Sequence, residues 1–362
     1  MGTNKILVIS NMFPSEKHPN YGVFIENFCK QLEDIGIPYD KQVLNKHDSK
    51  AAKIWFYLVF FLKSFWKCLV GDYKYIYVHY LSVSSIPVLF AAKLKKLHII
   101  ANAHGTDIVP ENPRQERCQV YTRKILKRAE KIVVPSEYFK QYALEKYGAM
   151  IAQKEIFVYP SGGIDDRVFY PVDEKDELYK KYKLESNKIY LGYCGRISKK
   201  KGIDVFLRAA RYVLDECGEI KIIIVGSGEF EDEMQRRIQE LHLERNVIRY
   251  PMMPQESLRD IYNILDIFIF PTEGESLGLV AIESMACGTP VIASDYSAPK
   301  YYIEDGVNGF KFPLGDWKKL AEIMMMFIKD YRENQILTEG ALKTVELYKA
   351  SVVKDELKRI IS

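Results

Sequence analysis

Two doubly wound α/β domains, each a parallel sheet covered by helices and the pair facing across a cleft, are the fold that this sequence predicts. Short apolar runs rich in β-branched residues alternate with longer stretches of helical periodicity, the signature of strands buried on both faces. The alternation occurs twice, once in each half of the chain, and 362 residues leave room for two cores. A hydrophobic share of 48% with 28% charged residues excludes disorder, and the lack of a fixed period excludes collagen-like and solenoid architectures.

The first half carries the runs KILVIS (5–10), YKYIYVHY (73–80), LHIIANAH (97–104), KIVVPS (131–136) and EIFVYP (155–160). The second carries IYLGYC (189–194), KIIIVG (221–226), VIRYP (247–251), DIFIFP (266–271) and PVIASD (290–295). Between them Ile203, Phe206, Leu207, Ala210, Val213 and Leu214 share one face of a helix. The junction falls near Phe169-Tyr170-Pro171, where a charged stretch begins, so the domains are read as 1–170 and 171–344. Ligands in such folds sit at the carboxyl ends of the strands, which directs attention to the loops that follow them.

Composition narrows the setting. Six scattered cysteines without a Cys-x-x-Cys pair suit reduced thiols in a cytoplasm. The opening MGTNKILVIS has an apolar run too short for a signal peptide, and Ile6 stands where a myristoylation signal needs Ser or Thr. Residues 1–168 hold 24 Lys+Arg against 16 Asp+Glu, a net +8, which leaves −4 for the rest. A basic first half can meet an anionic membrane or simply be solvated; nucleic acid fits worse, because no recognised motif accompanies the charge.

The richest segment is Asp266–Asp295, a strand, a polar TEGES loop, a helix of about ten residues closed by Gly288, and a second strand. Glu275 and Glu283 stand eight positions apart, roughly 12 Å if the span is mostly helical. They can hold two ends of an extended ligand, while the amides of Ser276, Leu277 and Gly278 offer a helix N-terminus to phosphate. GRISKKKGID (195–204) follows another strand, and Arg196 and Lys201 there can neutralise a diphosphate. Cations oppose the dipole at a helix start, so their presence favours a ligand role. No Walker A loop and no complete dinucleotide fingerprint occur. Neither Asp-x-Asp nor a metal-ligand spacing of the six histidines is found, so no metal and no cofactor are expected.

Together, G-R-x-x-x-K-K-G, V-G-S-G and E-S-L-G-L-V-A-I-E-S-M-A-C-G-T-P-V-I-A-S resemble the retaining family 4 glycosyltransferases of the GT-B fold. The resemblance implies that Arg196 and Lys201 bind a donor diphosphate, Glu283 the ribose hydroxyls and Glu275 the donor hexose. Gly195 opens the first of these motifs; Gly226, Ser227 and Gly228 resemble the family's glycine turn, and Met252 and Met253 lie where it grips the base. NAHGTDIVP (102–110) is similar to the family's His-Gly-x-Asp loop, placing His104 near the donor sugar with Asp107 close by. FPSEKHPNYGVFIENF (13–28) resembles its early glycine loop, with Gly22 approaching the phosphates. VYPSGGIDDRVF (158–169) departs from the usual Pro-Asn-Gly-Val-Asp turn, having Ser161 for Asn and an extra glycine.

The implied activity is retaining transfer of a hexose-type sugar from a nucleotide diphosphate donor, UDP first and GDP second, to a hydroxyl of a glycan or lipid-linked acceptor in surface polysaccharide assembly. A non-catalytic sugar-nucleotide-binding protein and a sugar-nucleotide epimerase are the alternatives. Residues 51–70 suggest an interfacial helix rather than a span, because the uninterrupted apolar run covers only 54–62 and Lys53, Lys63 and Lys67 flank it. A cytoplasmic protein, peripheral on the inner face of the cell membrane, would account for that helix and the basic half. By resemblance to the fold, a C-terminal helix at about 345–362 crosses back onto the first domain.

Overall fold

The computed structural model describes residues 4–18, 21–218, 220–331 and 335–362. Pro19 and Asn20, inside the early glycine loop, lie outside these. The chain forms two compact units, residues 1–162 with 353–362 and residues 163–352.

In the first unit, strands β1 (Ile6–Ser10), β2 (Tyr39–Val43), β3 (Tyr75–His79), β4 (Ile99–Asn102), β5 (Lys131–Val134) and β6 (Glu155–Val158) form one parallel sheet. Its order is β2-β1-β3-β4-β5-β6. Helices α1 (Val23–Asp34), α2 (Lys50–Val70), α3 (Leu81–Ala91), α4 (Pro113–Arg128) and α5 (Glu137–Ile151) connect them. β1 and β3 are buried along their whole length, which explains their near-continuous apolar character.

The second unit repeats the plan. After α6 (Lys175–Tyr182) come β7 (Ile189–Cys194), α7 (Ile203–Cys217), β8 (Ile220–Val225), α8 (Glu231–Glu240), β9 (Val247–Tyr250) and α9 (Gln255–Ile264). β10 (Ile267–Phe270), α10 (Leu279–Ala286), β11 (Val291–Ser294), α11 (Pro299–Tyr302), β12 (Gly309–Phe312) and α12 (Trp317–Met326) follow. This parallel sheet runs β12-β11-β10-β7-β8-β9. α7 buries Ile203, Phe206, Leu207, Ala210 and Val213 as its periodicity predicts, with Leu214 only partly covered. Each large apolar side chain buried there stabilises the unit by about 1.5–3 kcal/mol.

The C-terminal stretch is two helices, α13 (Gln335–Val345) and α14 (Ala350–Ile361), separated by a tight turn at Glu346–Tyr348. α13 buries Leu337, Ala341 and Val345 in the second unit. α14 buries Val353, Leu357 and Ile360 against β-sheet and α1 side chains of the first. Where the chain passes between the units, Ile164 and Lys349 pair side by side, with the Ile164 amide donating to the Tyr348 carbonyl at 2.7 Å. Among the described residues no helix is long and apolar enough to cross a membrane.

Candidate functional site

In the second sheet the chain leaves β7 toward β8 and β9 on one side, while β10 leads to β11 and β12 on the other. The loops after β7 and β10 therefore flank a topological switch point, where α/β sheets receive ligands. They are bonded to each other: the Glu273 amide donates to the Lys200 carbonyl at 2.8 Å, and Gly202 packs so closely on Pro271 that a Cβ would sit 1.9 Å from its carbonyl oxygen. Across this junction Lys201 Nζ lies 2.5 Å from Glu275 Oε2, both side chains about three-quarters buried. The Glu275 amide donates to Ser297 Oγ at 3.1 Å. Two residues read from separate motifs thus form one ion pair.

Two local expectations need correction. α10 has eight residues, Leu279–Ala286, and starts after Glu275, Ser276 and Leu277. Ser276 and Leu277 lie in the bend ahead of it; Gly278 is its N-cap, at φ 87°. The left-handed φ of Gly278 sets the bend off from the helix, and a Cβ there would meet the Phe270 ring and the Tyr302 hydroxyl at 2.8 Å, so only glycine fits. The helical spacing between Glu275 and Glu283 consequently does not apply. Glu283, on α10, has a partner of its own. The Tyr262 hydroxyl donates to its Oε2 at 3.1 Å, and burial raises its pKa to about 7 against that hydrogen bond.

The glycine turn lies beside the same loops. The Gly195 amide donates to the Val225 carbonyl at 3.0 Å and Ile197 to the Ser227 carbonyl at 3.1 Å. Gly226, at φ 134°, approaches Gly195 so closely that a Cβ would meet its carbonyl oxygen at 1.9 Å. The Gly228 amide donates to Glu231 Oε1 at 2.7 Å, which ties the turn to the first residue of α8. Arg196 is exposed and ion-paired to Glu229 at 2.9 Å. Met252, exposed, and Met253, partly buried, follow β9. Arg249 on β9 donates to the Gly226 carbonyl at 3.2 Å, and burial lowers its pKa from the usual guanidinium value.

In the first unit the switch point lies between β1 and β3. Gly22 caps α1 at φ 81°, where a Cβ would sit 2.8 Å from the Met12 carbonyl carbon. Two residues on, the Phe24 ring lies 4.3 Å from that of His104. His104 Nε2 is 2.9 Å from Nδ1 of His79, the buried last residue of β3. Asp107 is buried beneath this loop. Its carboxylate accepts from the amides of Leu81 at 2.9 Å, His104 at 3.1 Å and Gly105 at 2.7 Å. Burial raises its pKa while those amides lower it. Asp107 therefore shapes the loop that carries His104.

Sequence reasoning missed His79, Tyr262, Ser297, Glu229 and Arg249, each of which acts on a site residue far away in sequence. His79 and Arg249 do stand at strand ends, a signal that would have found them. Among the described residues no three His, Cys, Asp or Glu side chains gather closely enough to hold a metal ion.

Two six-stranded parallel sheets, each flanked by helices, make this a protein of the GT-B fold. Residues 174–344 match the family of glycosyl transferases group 1, and the chain is a glycosyltransferase carrying that domain. It is 26% identical over 289 residues to D-inositol 3-phosphate glycosyltransferase 1 of Catenulispora acidiphila, covering 75% of this chain and 68% of that one. The capsular polysaccharide biosynthesis glycosyltransferase CapM of Staphylococcus aureus is 28% identical over 186 residues, about half of either chain. Among solved structures, sucrose-phosphate synthase from Thermosynechococcus elongatus shares the fold with a TM-score of 0.79, 19% identity and 98% coverage of both chains. Anabaena HepE, in complex with UDP and glucose, shares it with a TM-score of 0.73, 18% identity and 98% coverage of both chains.

Proposed function

We propose that the protein transfers a hexose-type sugar from a nucleoside diphosphate donor, UDP before GDP, to a hydroxyl of a glycan or lipid-linked acceptor in surface polysaccharide assembly, with retention at the anomeric carbon and without a metal. The observation that carries this reading is the Lys201–Glu275 pair between the two switch-point loops. The departing diphosphate gains charge in the transition state; Lys201 and Arg196, with Arg249 behind the glycine turn, are the cations that stabilise it. Glu283 accepts from the ribose hydroxyls, and the Met252–Met253 backbone receives the base.

As the bond from the anomeric carbon to the phosphate oxygen breaks, the acceptor oxygen bonds the same face of that carbon. Its proton passes to the departing phosphate oxygen. A covalent Glu275 intermediate is the less favoured route, because Lys201 neutralises the carboxylate and weakens it as a nucleophile. In the first unit, His104 and the Gly22 turn form their own ligand-facing surface, with a neutral imidazole to meet a sugar hydroxyl. The uncovered apolar face of α2 and the basic first half support a position on the cytoplasmic leaflet.

The test is a donor panel. UDP- and GDP-sugars are incubated with purified protein and a membrane-extract acceptor, and released nucleotide is measured. Release from a UDP-hexose supports the reading; no release with any donor overturns it. Product without acceptor would instead mark an epimerase.

A further inference from the structure

α2 is largely apolar, with Lys53, Lys63 and Lys67 interspersed, but is covered on one side only. Phe60, Ser64 and Cys68 face the core, whereas Ile54, Leu58, Leu62, Trp66 and Val70 form an exposed ridge at every fourth position, with Trp55 beside it. The ridge continues onto neighbouring elements. Lys95 Nζ, just after α3, donates to the Leu69 and Gly71 carbonyls at the end of α2, and Arg128 at the end of α4 donates to the Ala92 carbonyl. Phe90 and Leu94, at and just past the end of α3, are 56% and 72% exposed.

Here α3 and α4 enclose a recess of about 540 Å³. Ile86, Leu89, Phe90 and Tyr121 make its apolar part, and Lys93, Lys124, Lys127 and Arg128 its cationic part. Ile86, Leu89 and Phe90 lie on one face of α3 and Lys93 in the turn just after it, so the end of this element supplies both chemistries. Lys93 lies 5.1 Å from the Phe90 ring centroid, over apolar ground. Among the described residues none of the four cations has a carboxylate partner. Their order along α3 and α4 places the recess near the amino ends of the strands, away from the switch-point loops. A sugar nucleotide would leave the apolar floor unused, and a bare anion likewise.

We propose that this recess seats one anionic phospholipid, its chain against Ile86, Leu89, Phe90 and Tyr121 and its phosphate among Lys93, Lys124, Lys127 and Arg128, while the α2 ridge lies in the same leaflet. The inference rests on the membrane position given above and adds a defined lipid site to it. The four cations, none held by a carboxylate among the described residues, complement a phosphate, and the apolar ridge with Trp55 and Trp66 suits the interface of a bilayer.

The experiment uses the full-length protein and two readouts. Titration calorimetry follows dihexanoyl phosphatidylglycerol below its micelle point, dihexanoyl phosphatidylcholine and inorganic phosphate. Sedimentation follows vesicles of phosphatidylglycerol and phosphatidylcholine in equal parts. The expected result is one phosphatidylglycerol per chain, no comparable binding of the other two, and a roughly 25-fold loss in Lys124→Ala/Lys127→Ala, about five-fold per cation. Inorganic phosphate binding as tightly as the lipid would make the recess a free-anion site, and phosphatidylcholine binding equally would remove the charge recognition; either overturns the proposal. So does a dimer that closes this face to lipid. Vesicle binding that is insensitive to the double variant, with no short-chain lipid bound, refutes the recess and leaves the membrane position standing. Short-chain lipid bound without vesicle binding refutes the membrane position and leaves the recess. Transfer to a soluble acceptor, measured alongside, reports on the catalytic reading separately.

Discussion

His79 Nδ1 lies 2.9 Å from His104 Nε2, and His79 Nε2 is buried without a partner among the described residues. A buried donor left unpaired is costlier and rarer than a buried lone pair, so the His79 proton belongs on Nδ1, donated to His104. His104 then carries its own proton on Nδ1. Burial pushes the His79 pKa well below its usual value, with the neighbouring His104 adding to this, and lowers His104 to about 3. The pair is therefore neutral at working pH and presents a fixed N–H donor.

His79→Phe should release that constraint. Nitrogen NMR of the His104 ring is expected to show the Nδ1-protonated tautomer in the wild type and a mixture in the variant. Stability carries a second signature. Both folded histidines have depressed pKa values, so the unfolded chain binds more protons below the ordinary value of 6.5 and wild-type stability falls with pH from there downward. The variant should lose less on acidification in urea melts; equal acid sensitivity would refute a neutral buried pair.

Lys201→Ala should cut turnover roughly 10²-fold or more, the scale of losing one electrostatic stabiliser. Lys201→Arg keeps the charge but displaces it, and is expected to recover part of the loss. Because Lys201 and Glu275 form one pair, the double change to Ala should cost much less than the two single losses multiplied together. Single-turnover rates with the active donor provide the measurement, and independent effects would show that the pair does not act as a unit.

Arg196 is held by Glu229 on an exposed surface. Glu229→Gln should free the guanidinium for a diphosphate and tighten nucleotide binding by a factor of roughly 2–5, the scale of an exposed charge pair. The gain should shrink with added salt. Weaker nucleotide binding in a calorimetric titration would mean that Glu229 positions Arg196 rather than occupying it.

Ten of the strands were legible as apolar runs; β2 and β12 were not. Both are edge strands. β2 is Tyr-Asp-Lys-Gln-Val without a fully buried residue, and β12 is the short Gly-Phe-Lys-Phe, so neither has the continuous apolar signature of a central strand. Site motifs were legible as short runs of glycine and charge, such as the Gly226 turn, but their partners were not. The Lys201–Glu275 pair spans 74 positions and the His79–His104 pair 25, and such contacts come from strand order, which periodicity alone does not specify. The start of α10 was misplaced because Gly278 takes a left-handed φ of 87°, a backbone choice that hydrophobic periodicity does not report.

Glu283 combines a binding role with a cost in stability, and the two can be separated. Burial raises its pKa from 4.5 to about 7, with the Tyr262 hydrogen bond pulling the other way. Between these values the folded carboxyl holds a proton that the unfolded one has lost, so stability falls as pH rises through the window. Above pH 7 the ionised group costs on the order of 3 kcal/mol relative to a neutral one. Glu283→Gln stays neutral and can still accept from Tyr262. It should match the wild type near pH 4 and exceed it at about pH 8, by up to that amount, in urea melts. The same change removes the charge that takes ribose hydroxyls, and nucleotide affinity at about pH 8 should drop roughly 10- to 100-fold. A variant that is more stable yet binds poorly would join both roles in one side chain. Unchanged nucleotide affinity would remove Glu283 from the ribose site and leave only its structural cost.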